Sequence, residues 1–149
     1  MEKMLVFDMD GTITDLYGVS NWLTDLQEEN VRPYEEAEPL YDMDEMKKVL
    51  KLLKVRGWKI AVTTWLSKDG SKEYNKAVSC AKKEWLKKYN FPYDEIHCVK
   101  YGTTKANCTR KKAEYQILID DNKFIREGWN LGATVNAQHD IMKFLKALV

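Results

Sequence analysis

The sequence predicts an α/β fold, a parallel sheet covered by helices on both faces. Short apolar runs alternate with amphipathic stretches along its length, the pattern of repeated strand–helix units. Two of those runs, Met4-Leu5-Val6-Phe7 and Ile117-Leu118-Ile119, end abruptly at closely spaced aspartates. The 149 residues, 44% hydrophobic and 32% charged, suit one domain, 1–149, with a core of ordinary size.

Five strands follow from the apolar runs: Lys3 to Phe7, Lys59 to Thr63, Ile96 to Val99, Gln116 to Ile119, and a short fifth at Ala133 to Val135. Helices fill the gaps. Met46, Val49, Leu50 and Leu53 repeat at helical spacing, with Asp44 as the N-cap and Gly57 beyond the end. A longer helix runs from Ser71 to about Tyr89 and turns Tyr74, Ala77, Val78, Ala81, Trp85 and Leu86 to the core. Phe124 to Trp129 forms a short helix, and Ile141, Phe144, Leu145 and Leu148 mark a last one that starts near Asp140. Residues 13–43 break the alternation. They hold one helix, Ser20 to about Glu29, then Arg32-Pro33 and Glu38-Pro39, and read as a short insertion, a minimal cap over the end of strand one.

The net charge of +1 gives no strong field toward nucleic acid or a membrane surface. The basic runs Lys47-Lys48, Lys82-Lys83, Lys87-Lys88 and Arg110-Lys111-Lys112 read as solvated faces. No apolar run approaches the ~20 residues of a membrane span, and the first residues lack the apolar core of a signal peptide. Cys80, Cys98 and Cys108 fit neither a disulfide framework nor a zinc pattern, so free thiols in the cytoplasm are expected. His97 and His139 read as surface or packing residues.

The chemistry lies in the aspartates. Carboxylates at a buried strand end are costly unless a cation neutralises them. Open parallel sheets bind ligands beyond the carboxyl ends of their strands, where strand order reverses. In a five-stranded sheet of order 3-2-1-4-5, strands one and four are neighbours at that point, and Asp8, Asp10 and Asp120 converge. Three such carboxylates call for a hard divalent ion, and oxygen-only ligands favour magnesium, which keeps positions open for phosphate. The Asp8–Gly11 run is not an EF-hand loop. Gly11 is fourth rather than sixth, Val19 stands where the glutamate belongs, and a strand rather than a helix precedes it.

These residues resemble the haloacid dehalogenase superfamily of phosphotransferases. Asp8-Met9-Asp10-Gly11-Thr12 matches the opening signature of that family. Thr63, at the end of strand two in Ile60-Ala61-Val62-Thr63-Thr64, matches the second. Lys105 in Thr103-Thr104-Lys105-Ala106-Asn107 is the best match to its lysine, with Lys100 and the 110–112 run as competitors. Asp120-Asp121 matches the last. The ending Leu118-Ile119-Asp120-Asp121 looks similar to the 5′-deoxyribonucleotidase-like branch.

The resemblance implies a single hydrolase domain with a three-layer Rossmann-like sheet, and a magnesium-dependent phosphatase. Asp8 is then the nucleophile that forms an aspartyl phosphate, and Asp10 the acid and base. The Asp8 and Asp120 carboxylates and the Asp10 carbonyl hold the metal, and Asp121 orients metal-bound water or Lys105. Gly11 allows a tight turn near the phosphate. Thr63 donates to a phosphoryl oxygen and Lys105 supplies positive charge. Thr12, Thr64 and Trp65 are expected against the substrate. A short insertion leaves an open mouth, suited to a nucleotide or a nucleic-acid end, and Tyr17, Trp22, Tyr41 and Trp65 are candidates to surround it. A sugar or protein phosphate, or binding without turnover, are the alternatives.

Overall fold

The computed structural model describes residues 1–106, 108, 109 and 113–149. The Arg110-Lys111-Lys112 run, read above as a solvated face and as a competitor of Lys105, lies outside the described residues, as does Asn107.

Strands β1 (Lys3–Phe7), β2 (Trp58–Trp65), β3 (Glu95–Val99), β4 (Tyr115–Asp120) and β5 (Thr134–Asn136) form one sheet in the order β3-β2-β1-β4-β5. Every neighbouring pair is parallel, as the alternating pattern predicts. Side chains leave β1 alternately. Leu5 and Phe7 join a large apolar cluster with Ile60, Val62, Ile117 and Ile119. Met4 and Val6 join a smaller one with Ala61, Leu118 and Trp129 on the other face. Burial on both faces is why the strand runs are almost continuously apolar.

The helices are α1 (Trp22–Gln27), α2 (Arg32–Glu36), α3 (Met43–Val55), α4 (Lys72–Lys88), α5 (Lys123–Glu127) and α6 (Ile141–Leu148). Met46, Leu50 and Leu53 of α3, Trp85 and Leu86 of α4, and Ile141 and Leu145 of α6 fill the large cluster. Ile125 of α5 packs against the smaller one. Ser71 caps α4 through Tyr74 N–H, and Asp140 caps α6 through Lys143 N–H.

Three local expectations change. The cap of α3 is Asp42 rather than Asp44, because its carboxylate accepts from the N–H groups of Asp44 and Glu45. Arg32-Pro33 opens a second helix in the 13–43 segment, where a single one was expected, since proline fits the first helical turn, where its missing N–H has no partner to lose. Lys82 is not on a solvated face. It is fully buried on the inner side of α4.

Residues 13–43 leave and return at one place. Leu40 N–H donates to Ile13 O at 2.9 Å and Asp15 N–H to Glu38 O at 2.8 Å. Arg32 ties α1 to α2 through Asp25 (Nε–Oδ2 2.8 Å) and pairs with Glu36 on its own helix. Among the described residues no helix is long and apolar enough to cross a membrane.

Candidate active site

Phe7 pairs with Val62 on one side and Ile119 on the other. The next residue, Asp8, therefore leaves β1 between Thr63 and Asp120, and its N–H donates to Ile119 O at 2.9 Å. Val6, Ala61 and Leu118 share one face of the sheet. Two residues further along each strand, the alternation brings Asp8, Thr63 and Asp120 to that same face. Lys105 reaches them from the loop after β3. Its Nζ donates to Asp8 Oδ1 and to Asp120 Oδ2, each at 2.8 Å. The Lys105 side chain is 1% exposed and that of Asp120 0%. Thr12 Oγ1 donates to Asp8 Oδ2 at 3.0 Å, so both oxygens of Asp8 are held.

The charges of this group are unequal. Burial pushes Asp8 upward, but the Lys105 ammonium and hydrogen bonds from Asp121 and Lys105 hold it below the usual carboxylate range. Burial and the Asp8 charge raise Asp120. Asp121 is pushed up to about 8 by burial, by its hydrogen bond to Asp8 and by the charges of Asp8 and Asp120. Burial alone would lower Lys105; the Asp8 and Asp120 charges outweigh it and raise the group above its ordinary value. Asp8 is thus the carboxyl held furthest toward its ionised form, and Asp121 the one pushed toward its protonated form.

Asp8, Asp120 and Asp121 each offer a carboxylate oxygen within 4.8 Å of the others. This all-oxygen donor set fits a hard divalent cation, whose charge would offset the repulsion among the three clustered carboxylates. Asp121, expected to act from behind the metal ligands, is itself part of the cluster. Gly11 is what admits it. Its φ is +78°, and a Cβ there would stand 2.4 Å from Asp121 Oδ2 and 2.9 Å from Tyr17 Cε2. Thr63 Oγ1 is buried with no hydrogen-bond partner among the described residues, an orphan donor beside Asp8.

Asp10 turns away from the cluster. Its Oδ2 accepts from Lys82 Nζ at 2.9 Å, and its Oδ1 is 3.4 Å from Thr14 Oγ1. Lys82 also donates to Thr64 Oγ1 at 2.7 Å and to Trp65 O at 2.8 Å. Sequence reasoning missed this lysine by taking it with Lys83 as a charge pair. The available signal was its position, four residues after Val78 and three before Trp85 on the apolar stripe.

A cavity of about 700 Å³ opens over the acidic centre, with Asp8, Asp10, Thr64, Trp65, Lys105, Asp120 and Asp121 in its wall, while Gly11, Thr12 and Thr63, expected beside the phosphate, are not in that wall. Leu16, Tyr17, Trp22, Leu26 and Tyr34 of the 13–43 segment line it from the other side. Trp65 is fixed there, with Nε1 donating to Thr103 O at 2.8 Å and its ring 4.8 Å from that of Tyr101. Tyr17 packs edge-on against Trp22 at 4.9 Å. Tyr41, expected at the mouth, is elsewhere. It packs against the large apolar cluster with its hydroxyl 3.4 Å from His139 O, because α3 begins just beyond it and turns it toward α6. Neither histidine lines the cavity. His97 contacts Glu95 at 2.8 Å. All three cysteines are free thiols.

The class these observations define is a five-stranded parallel α/β fold with an acidic centre at its switch point. No family model and no curated protein matches the sequence. Among solved structures, the chain is similar to the D,D-heptose 1,7-bisphosphate phosphatase of Burkholderia thailandensis. The TM-score is 0.52 at 13% identity, over 97% of this chain and 99% of that one. At that identity the likeness is one of fold.

Proposed function

We propose that this chain is a magnesium-dependent phosphomonoesterase that works through an aspartyl phosphate on Asp8 and acts on a nucleotide or a nucleic-acid terminal phosphate. The observation that carries the reading is the Lys105 ammonium bridging Asp8 and Asp120 at 2.8 Å, at the ends of two adjacent strands. The Asp8 and Asp120 carboxylates and the Asp10 carbonyl would hold the ion beside Asp121, where its charge would neutralise phosphoryl oxygens.

The chain's own residues supply the rest. An Asp8 oxygen attacks phosphorus in line, a new P–O bond forms, and the ester P–O bond breaks. Asp10 gives its proton to the leaving oxygen. In the second half it takes a proton from water as that water attacks phosphorus. The acyl-phosphate bond then opens, returning the Asp8 carboxylate and releasing inorganic phosphate. Thr63 and Lys105 donate to the phosphoryl oxygens, the orphaned hydroxyl of Thr63 finding there the partner it lacks.

Aromatic walls support a base-bearing substrate. Tyr17, Trp22, Trp65 and Tyr101 line a cavity of nucleotide size. The 13–43 segment serves as a minimal cap. A second reading, a sugar phosphate, draws on the substrate named for the similar heptose bisphosphate phosphatase.

Hydrolysis of an aryl phosphate with and without magnesium tests the chemistry, and a panel of nucleoside monophosphates, phosphate-ended oligonucleotides and sugar phosphates tests the substrate. Asp8→Asn should abolish turnover, roughly 10⁴-fold or more. Normal activity in that variant refutes the covalent route. Brisk release from sugar phosphates alone overturns the nucleotide assignment.

A further inference from the structure

Lys82 has no part in the scheme above, yet it is the most completely buried cation among the described residues. We infer that it is a positioning residue, holding Asp10 and Thr64 in place for phosphoryl transfer from behind the cavity wall. The inference rests on the phosphatase reading.

The side chain of Lys82 is 0% exposed. An ammonium in that place is costly unless every proton is matched, and an apolar pair in place of both Lys82 and Asp10 would serve stability as well or better. Its neighbours on the stripe, Val78, Trp85 and Leu86, are apolar. What the lysine adds is directional. An ammonium has three donors and no acceptor. All three are used, on Asp10 Oδ2, Thr64 Oγ1 and Trp65 O. The face of Tyr34, a residue of the 13–43 segment, lies 5.2 Å from the same nitrogen.

Each acceptor belongs to a residue of the cavity wall. With Oδ2 held, the Asp10 carboxylate cannot rotate freely. With its oxygen accepting from Lys82, the Thr64 hydroxyl must give its own proton elsewhere, and among the described residues it has no acceptor. A phosphoryl oxygen in the cavity supplies one. Lys82 thus makes Thr64 a donor to the substrate and fixes Asp10 relative to the leaving oxygen, the kind of alignment whose loss is felt in turnover.

The test is steady-state kinetics on an aryl phosphate with magnesium, for wild type, Lys82→Met, Thr64→Val and the double variant. Thermal unfolding confirms that each is folded, and Lys82→Gln stands in if the methionine variant is not. In the Lys82 variant kcat should fall roughly 10- to 100-fold, with KM changed less than about threefold, since the aligned groups act in the transition state. The double variant should lose less than the product of the single losses, because both changes remove one shared hydrogen bond. A folded Lys82 variant with wild-type kcat, or strictly multiplicative losses, overturns the inference alone. A wild-type chain that releases no phosphate overturns the phosphatase reading and this inference with it.

Discussion

Lys105 Nζ sits 2.8 Å from Asp8 Oδ1, although 97 positions separate the two residues in the chain. The contact joins the end of the first strand to the loop after the third, and the same nitrogen reaches Asp120 at the end of the fourth. It is the electrostatic keystone of the site. Without it two buried carboxylates would face each other with only protons or a bound cation to separate them.

Lys105→Met keeps the volume and removes the charge. Activity should fall by about 10²- to 10³-fold, the usual loss when one preorganised donor to a developing oxyanion is removed. The magnesium-free protein should also melt at a lower temperature than wild type, because Asp8 and Asp120 lose their shared partner. Kinetics and a melting curve with and without magnesium check both.

Thr63→Val should separate stability from activity. The hydroxyl is buried and unpartnered among the described residues, so an isosteric methyl removes an unsatisfied group and should stabilise the fold by about 1 kcal/mol. Turnover should fall, since the same hydroxyl is the donor assigned to the phosphoryl group. A raised melting temperature with reduced kcat is the expected pair, and a lowered melting temperature would show that the hydroxyl has a partner in the fold.

Gly11→Ala is expected to damage both. A positive φ of +78° is strained for alanine by about 1–2 kcal/mol. The new Cβ would also press on Asp121 Oδ2 at 2.4 Å and on the Tyr17 ring at 2.9 Å. Since Asp121 is one of the three clustered carboxylates, magnesium affinity should weaken along with stability. Calorimetric titration of the folded variant with magnesium reads the first, and denaturant unfolding the second.

Asp94 should make a small acid-sensitive contribution away from the site. It accepts from Ile60 N–H at 2.9 Å and pairs with Lys54 at 3.0 Å, joining the end of α3 to the start of β2. Burial pushes its carboxyl up, but the Ile60 hydrogen bond and Lys54 outweigh that and leave it below the ordinary value. A depressed folded pKa means the stabilisation is present above the unfolded value of about 4 and is lost as pH falls through the folded one. Asp94→Ala should therefore lower stability at neutral pH and match wild type more closely in strong acid, as melting curves across that range would record.

The sequence by itself determined the sheet and the acidic centre. Apolar runs buried on both faces left little choice but parallel strands, and the two runs ending in aspartates, Phe7-Asp8 and Ile119-Asp120, pointed to strands one and four as neighbours. That worked because strand burial and strand-end charge are written in consecutive residues. What only the tertiary structure decided depends on residues that meet across the chain. Lys82 read as half of a surface pair until α4 packed it against Asp10 and Thr64. Tyr41 read as part of the mouth until α3 carried it to α6. Asp121 joined Asp8 and Asp120 because Gly11 leaves room for its carboxylate. Periodicity tells which face of an element is buried, but the partner it meets there is set by the packing of elements distant in sequence.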